Sequence, residues 1–233
     1  MAIDVSFREA WVGLADCRHC ASRELSLFAG LCDDELEHTR CPVHQYRFKH
    51  GSVIYRAAEK GHDIFTLRTG LLKLERFLPD GNQRIVRLVR PNDIFGIETL
   101  VNPVYEHDAV VLRDADICKI PVETVQRLGQ VNPKLHQEIM NRWQSALSEA
   151  DNWLTELLSG TAKQRVARLL LKLIDHQGKC SLLSREDMGA MLSVTTETAS
   201  RIVAEFKRQG LLSEVGHNLY TCDEDGLLEI TDA

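Results

Sequence analysis

Residues 193–212 read SVTTETASRIVAEFKRQGLL, and this stretch decides the fold of the C-terminal third of the chain. Its apolar residues recur at spacings of three and four, which predicts a helix with one buried stripe. Thr195 is suited to cap the start of this helix, and Gly210 to follow its end. The buried stripe consists of Ala199, Ile202, Val203 and Phe206.

The outward face of this helix groups side chains that can read DNA bases. Arg201 can donate two hydrogen bonds to guanine, Glu197 can accept one from cytosine, and Ser200 can bond several base edges. Cations further along the helix could reach phosphates. The plain alternative is a solvated face on which Glu197 and Arg201 form an ion pair. The candidate DNA contacts are Ser184, Thr195, Thr196, Glu197, Ser200, Arg201, Lys207 and Arg208.

The residues around this helix predict a winged helix-turn-helix. Residues 161–178 have an amphipathic helical pattern with Gly178 as the C-terminal cap, and CSLL follows as a short strand. Ser184 with Asp187 resembles a capping box that opens the next helix. LLSEVGHNLYTC then predicts a hairpin that turns at Gly216. Helix, strand, helix, turn, helix and hairpin is the order of a winged helix-turn-helix.

The residues between Phe48 and Ile120 predict a β-roll. Short apolar runs alternate there with Gly, Pro, Asn and Asp, and Asp80-Gly81 supplies a hairpin turn. The predicted fold is therefore α+β, with a jelly-roll-like β-roll, a long helix and a C-terminal winged helix-turn-helix. The expected domains are a cysteine-containing segment at 1–45, the β-roll at 46–130, the long helix at 131–160 and the winged domain at 161–233.

The long helix, over residues 133–158, is predicted to pair with a copy of itself. Pro133 suits its first turn. Six apolar residues then alternate at spacings of four and three, which is the narrow seam of a coiled coil. The alternative is a helix that lies along its own β-roll. The expected dimer residues are Ile139, Trp143, Ala146, Ala150, Trp153 and Leu157.

Composition narrows the possible functions. The net charge is −6, and residues 161–233 hold nine Lys/Arg against eleven Asp/Glu, several of them in the acidic tail DEDGLLEITD. DNA binding therefore requires the cations to face one way. No apolar run approaches the ~20 residues of a membrane helix, and no secretion signal is evident, so we expect the cytoplasm and no membrane contact. Without a His-x-His pair, a nucleophile elbow or a phosphate loop, we do not expect an enzyme.

Several motifs together resemble the CRP/FNR family of bacterial transcription regulators over nearly the whole chain. The resemblance implies the three-part fold above and a homodimer that binds double-stranded DNA and contacts RNA polymerase. Glu197, Thr198, Ser200 and Arg201 match the Glu-Thr-x-Ser-Arg motif of the FNR branch, which implies a TTGAT-NNNN-ATCAA palindrome. The motifs are GSVIY, DIFTLRTGLLKL, DGNQRIVRLV, NDIFG and SREDMGAMLSVTTETASRIVAEFKRQGLL.

The resemblance also implies which signals to compare. The CRP branch binds cyclic AMP with an acidic residue and an Arg-Ser pair that holds the phosphate. Here His107 and Asp108 fall at the Arg-Ser places, and a carboxylate repels a phosphate. Glu98 could still meet a ribose hydroxyl, but it is alone. We therefore do not expect cyclic AMP to bind.

The FNR branch senses oxygen with a [4Fe–4S] cluster on four cysteines. Cys17, Cys20 and Cys118 match three of these places, whereas the remaining place falls on Ser26, whose oxygen is a poor iron ligand. Either Cys32, the tentative choice, or Cys41 takes this place, or the cluster has a ligand that is not cysteine, or there is no such cluster. The resemblance thus implies an oxygen or redox signal at these cysteines.

Other interpretations of the seven cysteines stay open. Cys17-x-x-Cys20 could bind zinc or cycle as a dithiol, and Cys118 could be a small buried apolar residue. Cys180 and Cys222 are interpreted as packing residues. The alternative functions are a ligand- or haem-responsive regulator without a cluster, and a regulatory β-roll protein that does not bind DNA.

Overall fold

The computed structural model describes residues 7–17, 43–175, 177–216 and 218–232. The chain forms two compact units, one of Met1–Arg76 with Val86–Ala146 and one of Phe77–Ile85 with Leu147–Ala233. An antiparallel sheet, a long helix and a helix-turn-helix occur in the predicted order, which confirms the α+β class. None of the helices in the described ranges is long and apolar enough to cross a bilayer.

One antiparallel sheet forms the β-roll of the first unit. Its strands are β1 (Trp11–Leu14), β2 (His44–Phe48), β3 (Val53–Tyr55), β4 (Asp63–Phe77), β5 (Gln83–Val89), β6 (Ile94–Phe95) and β7 (Asp108–Pro121). The hydrogen-bonded order is β1-β2-β7-β4-β5, with β3 beside β7 and β6 beside β4. The predicted hairpin is confirmed, since Gly81 adopts φ +82° and Asp80 Oδ1 accepts a bond from the Asn82 N–H at 2.9 Å.

Close contact between β4 and β7 depends on one glycine. Gly70 has φ +100°, and a Cβ built there would lie 2.5 Å from the Asp114 carbonyl oxygen. Only glycine accepts both the backbone angle and the approach. The interior beside these strands is aromatic, with the Tyr55 and Tyr105 rings stacked at 3.8 Å between centroids. These features bring together β4 and β7, and β7 holds Asp108 and Cys118.

Two helices follow the sheet, α1 (Val122–Val131) and α2 (Pro133–Asn152), and α2 continues into a π-helical turn at Trp153–Leu157. The sequence patterns predicted α2 but missed α1. The structure also revises the predicted dimer seam. Ile139 is buried in an apolar cluster of its own chain, Trp143 packs against that cluster, and Leu157 is buried as well. Ile139 and Leu157 are therefore buried within their own chain, whereas the predicted partner contact of Trp143 remains a prediction.

The second unit contains the winged helix-turn-helix in the predicted order of elements. Its elements are α3 (Ala162–Leu173), β8 (Lys179–Ser181), α4 (Arg185–Leu192), α5 (Thr196–Arg208), β9 (Leu212–Gly216), β10 (Leu219–Cys222) and α6 (Glu224–Asp232). The structure differs from the sequence prediction at two places. Helix α3 ends before Gly178, because Asp175 Oδ1 accepts bonds from the N–H groups of Gln177 and Lys179 and turns the chain early. The acidic tail forms helix α6, which packs on α3 and buries Leu227 completely.

The turn between α4 and α5 is tight because of two backbone features. Ser193 ends α4 with φ +56°, the left-handed conformation. A Cβ built on Gly189 would lie 2.8 Å from the Val194 carbonyl oxygen, so a larger residue would push the turn away from α4. The absence of a side chain at Gly189 therefore sets how closely α5 follows α4.

Candidate functional site

The outward face of α5 is exposed in the way its sequence pattern predicts. The Thr195 hydroxyl oxygen accepts a hydrogen bond from the Thr198 N–H at 3.2 Å and so caps the helix. The apolar stripe lies inside, with each of its four side chains at most 5% exposed. The polar side chains at the start of the helix therefore face solvent together. They are Thr196, Glu197, Ser200 and Arg201.

Glu197 is bound to the helix start and does not pair with Arg201. Its carboxylate accepts hydrogen bonds from its own backbone N–H and from the Thr195 side chain, and these bonds lower the pKa of Glu197. The positive end of the helix favours a carboxylate at this place. The i, i+4 ion pair considered from the sequence is therefore not formed between these two residues, and the Arg201 guanidinium is open to a ligand.

Lys207 contacts the wing, and its phosphate contact remains a prediction. Its ammonium donates a hydrogen bond to the Tyr220 hydroxyl at 2.8 Å and lies 4.4 Å from the Tyr220 ring centroid. It also pairs with Glu214 at 3.4 Å. The hydrogen bond to Tyr220, then the one to Glu214, raises the pKa of Lys207. Lys207 therefore ties α5 to the wing hairpin, and both Lys207 and Arg208 are exposed at this end of the helix.

Other polar groups of the domain also serve its own structure. The Ser184 hydroxyl caps α4 by accepting from the Asp187 N–H at 3.0 Å, and it donates to Asp187 Oδ2 at 2.7 Å. Lys163 pairs with Glu205 at 2.7 Å, which holds α3 against α5. Arg165 donates to the Leu192 carbonyl oxygen at 2.6 Å. Arg201 lies on the outward face of α5, Arg208 lies further along it, and Arg84 donates to the Ser193 hydroxyl at 2.6 Å in the turn before the helix.

The candidate metal ligands are only partly within the described ranges. Cys20 and Cys32 lie outside them, whereas Cys17 and Cys118 are half-buried thiols without a disulfide. Cys17 follows the end of β1, where Leu14 pairs with His44. His44 in turn pairs with Lys119, next to Cys118 in β7. The two thiols therefore lie toward the same end of the sheet. Within the described ranges, no three His, Cys, Asp or Glu side chains are grouped closely enough to hold a metal ion.

The part of the β-roll that corresponds to a cyclic nucleotide site is occupied by its own side chains. Asp108 Oδ1 accepts a hydrogen bond from the Ala57 N–H at 2.7 Å, and Asp108 Oδ2 lies 3.6 Å from an Arg56 guanidinium nitrogen. Burial lowers the pKa of His107, which keeps the imidazole neutral at pH 7. This place therefore offers a carboxylate and an uncharged ring where a cyclic phosphate needs positive charge.

The exposed apolar side chains of the long helix recur every seven residues. Met140, Leu147 and Leu154 are 48%, 58% and 65% exposed, and the exposed Ala150 lies between the last two. A stripe with this period has the form of a coiled-coil seam. Sequence reasoning chose a neighbouring stripe that shares Ala150 but includes Ile139 and Trp143, because its residues alternate at spacings of four and three. Burial against the β-roll separates them.

Two family models match the chain. A cyclic nucleotide-binding domain matches residues 45–132, and a Crp-like helix-turn-helix domain matches residues 164–230. Together they cover the β-roll and the winged domain. The matched β-roll is thus of a ligand-binding type, although its phosphate-binding pair differs here.

Curated relatives are similar along most of their length. The anaerobic regulatory protein of Haemophilus influenzae is 24% identical over 224 residues, which is 92% of this chain and 87% of that protein. The transcriptional activator protein anr of Pseudomonas aeruginosa is 24% identical over 218 residues, which is 90% of this chain and 89% of that protein. Both are named as regulators.

Solved structures share the fold. FixK2 from Bradyrhizobium japonicum superposes with a TM-score of 0.74 at 23% identity, covering 82% of this chain and 98% of FixK2. A CRP-family transcriptional regulator from Thermus thermophilus superposes with a TM-score of 0.70 at 22% identity, covering 80% of this chain and 96% of that one. At these identities the superpositions establish the architecture alone.

Proposed function

Because the chain belongs to the CRP/FNR family of DNA-binding transcription regulators, we propose that it is a homodimer whose two α5 helices read a TTGAT-NNNN-ATCAA palindrome. The observation that supports this most directly is the outward set of Glu197, Ser200 and Arg201 on the capped first half of α5. A recognition helix presents this part to base edges in the major groove. We also propose RNA polymerase as a partner, which rests on the family alone.

Arg201 is the residue whose change tests base reading. Arg201→Ala will cost about 1–3 kcal/mol of binding to the palindrome, because a bidentate contact to guanine is lost. The loss in binding free energy will be smaller on a second duplex in which the guanine proposed to contact Arg201 is replaced by another base. Fluorescence anisotropy with both duplexes measures this difference.

Arg208→Ala is the matched control for charge. It removes the same cation from the far end of α5, so it will weaken binding to both duplexes alike and reduce the salt dependence. Equal losses on both duplexes for Arg201→Ala would show that Arg201 contacts phosphate and not a base.

We propose that the dimer seam is the stripe of Met140, Leu147, Ala150 and Leu154, which keeps only Ala150 of the six residues predicted from the sequence. These side chains are exposed in the single chain and lie on one side of the helix. In a parallel pair, equivalent residues face each other across the twofold axis. Burial of this stripe would hold the two winged domains at a spacing suited to half-sites one DNA turn apart.

We propose a [4Fe–4S] cluster as the signal receptor, with Cys17, Cys118, Cys20 and tentatively Cys32 as ligands. The first two fit, because two half-buried thiols lie toward one end of the sheet and thiolates are the usual ligands of such clusters. When bound, the cluster supplies oxygen-labile iron–sulfur bonds. The chain's own contribution is to fix Cys118 within β7, between β2 and β4. Cyclic AMP is not proposed as a ligand, because of the carboxylate of Asp108.

Anaerobic purification followed by iron and acid-labile sulfide assays tests this receptor. Cluster ligation predicts about four of each per chain, with visible absorbance that bleaches in air. Cys118→Ser will lower both contents, whereas the same change at the winged-domain residue Cys222 will leave them unchanged. A Soret band would instead indicate haem, and a colourless protein that contains no iron would contradict the cluster and leave a thiol or another ligand.

A further inference from the structure

Two cysteines of the winged domain lie side by side on its small sheet. Cys180 is in β8 and Cys222 in β10, and the antiparallel register pairs Cys180 with Tyr220. Cys222 follows Tyr220 by two residues, so its side chain lies on the same face as that of Cys180. Cys180 is also the hydrogen-bonding neighbour that has the largest influence on the pKa of Cys222. The two side chains are therefore diagonal neighbours on one face of the sheet.

The surroundings give the two sulfurs different roles. Cys180 is fully buried, whereas Cys222 is half-buried and reaches solvent. The hydrogen bond from Cys180 lowers the pKa of Cys222, against the opposing effects of burial and of the Glu224 and Asp175 carboxylates. Cys222 is thus the more accessible thiol, and its pKa is lowered. Cys180 is the neighbour that can resolve an oxidised Cys222.

We propose that Cys180 and Cys222 form an oxidisable pair in the wing, which hydroperoxides convert to a disulfide that weakens DNA binding. The sequence interpretation of both residues as packing residues does not account for their contact. The chemical part of the proposal stands on the sheet register and the contact between the two side chains. Its effect on DNA rests on the proposed function.

The reaction balances with one hydroperoxide. The Cys222 thiolate attacks an oxygen of hydrogen peroxide, the O–O bond breaks, and hydroxide leaves and takes up a proton to become water. The resulting sulfenic acid is attacked by Cys180, whose proton leaves with the sulfenic hydroxyl as a second water. Two thiols thereby lose two electrons and two protons, and the peroxide is reduced to two waters.

The geometry of the sheet explains why the bond would affect the wing. Diagonal neighbours on an antiparallel pair are about 7–8 Å apart between Cα atoms, whereas a disulfide usually spans about 4.4–6.8 Å. Closing the bond therefore requires β10 to shift along β8. Strand β10 also pairs with β9 and holds Tyr220, the partner of Lys207 on α5. A shift of β10 would be transmitted to the helix that reads DNA.

Peptide mapping of the full chain tests the chemistry directly. Trypsin cleaves after Lys179, Arg185 and Arg208, so Cys180 and Cys222 fall in separate peptides, 180–185 and 209–233, each with one cysteine. After treatment with hydrogen peroxide and alkylation of remaining thiols, we expect the two peptides to be linked and to lack two hydrogens. Dithiothreitol will separate them. Two singly alkylated peptides, or Cys222 oxidised to sulfinic acid without a link, would overturn the proposal.

Affinity for the palindrome tests the consequence. We expect peroxide to weaken binding by the wild-type dimer about fivefold or more, with recovery after dithiothreitol. Cys222→Ser will be insensitive to this change, because it lacks the attacking thiol. An equal loss in Cys222→Ser, or a linked wild type with unchanged affinity, would refute control through the wing. If the reduced wild type does not bind the palindrome at all, the proposed function fails while the peptide map still decides the chemistry.

Discussion

Replacing Leu147 with glutamate will leave the chain monomeric and weaken binding to a palindromic site by about 100-fold or more. Leu147 lies at the centre of the exposed stripe, between Met140 and Leu154. In a dimer about a twofold axis, the change removes two buried leucines, each contributing about 1.5–3 kcal/mol, and places two like charges face to face. The single chain tolerates the substitution because this position is exposed. Sedimentation velocity across a concentration series measures the loss of the dimer.

Ser145→Glu is the control for the dimer. It adds the same charge to an exposed position on the other side of the same helix. It will leave both the sedimentation coefficient and the DNA affinity close to those of the wild type. If Leu147→Glu sediments as a dimer, the seam is elsewhere, and a Leu154→Glu variant would then be expected to have no effect either.

Lys73→Met will lower the free energy of unfolding by about 3–5 kcal/mol, because it removes a partner of a buried carboxylate. Lys73 and Glu75 lie two residues apart in β4 and join at 2.7 Å, with side chains only 10% and 7% exposed. Methionine keeps most of the volume of the lysine side chain, so the decrease in the free energy of unfolding reflects the missing charge. Urea unfolding followed by circular dichroism measures it.

Two further variants test whether the stability lost at Lys73 comes from burial of the ion pair or from ion pairing as such. Lys49 pairs with Asp114 at the same 2.7 Å but with both side chains exposed, so Lys49→Met will cost under about 1 kcal/mol. Lys73→Met combined with Glu75→Leu will regain most of the stability lost, because an apolar pair often replaces a buried ion pair without loss. A large cost at Lys49, or no cost at Lys73, would contradict this account.

Local sequence patterns predicted α5 because the features that define it lie close together in the sequence. The stripe from Ala199 to Phe206 and the cap at Thr195 depend only on residues within one helix, and both are present in the structure. The DNA contacts themselves remain a prediction. The role of Lys207 could not be derived in this way, because Tyr220 meets it through the fold and not through the sequence spacing.

Sequence periodicity alone did not determine which stripe of α2 is exposed or that residues 224–232 form a helix. Helix α2 has apolar residues on two adjacent stripes, and only packing against the β-roll shows that Ile139 belongs inside. The acidic residues of 224–232 were not predicted to form a helix, but they form α6, which buries Leu227 against α3. In both places tertiary burial, which single-sequence periodicity does not contain, decided the outcome.

The hydrogen bonds of Glu197 at the start of α5 bear on how tolerant the regulator is toward imperfect operators. A carboxylate that already has partners at rest gains little from a cytosine and loses little without one, because it can return to its own helix. In the proposed reading, Arg201 has no alternative partner in Glu197, so replacing its guanine loses the whole contact. We therefore expect operators to tolerate changes at the base pair proposed for Glu197 more than at the guanine proposed for Arg201.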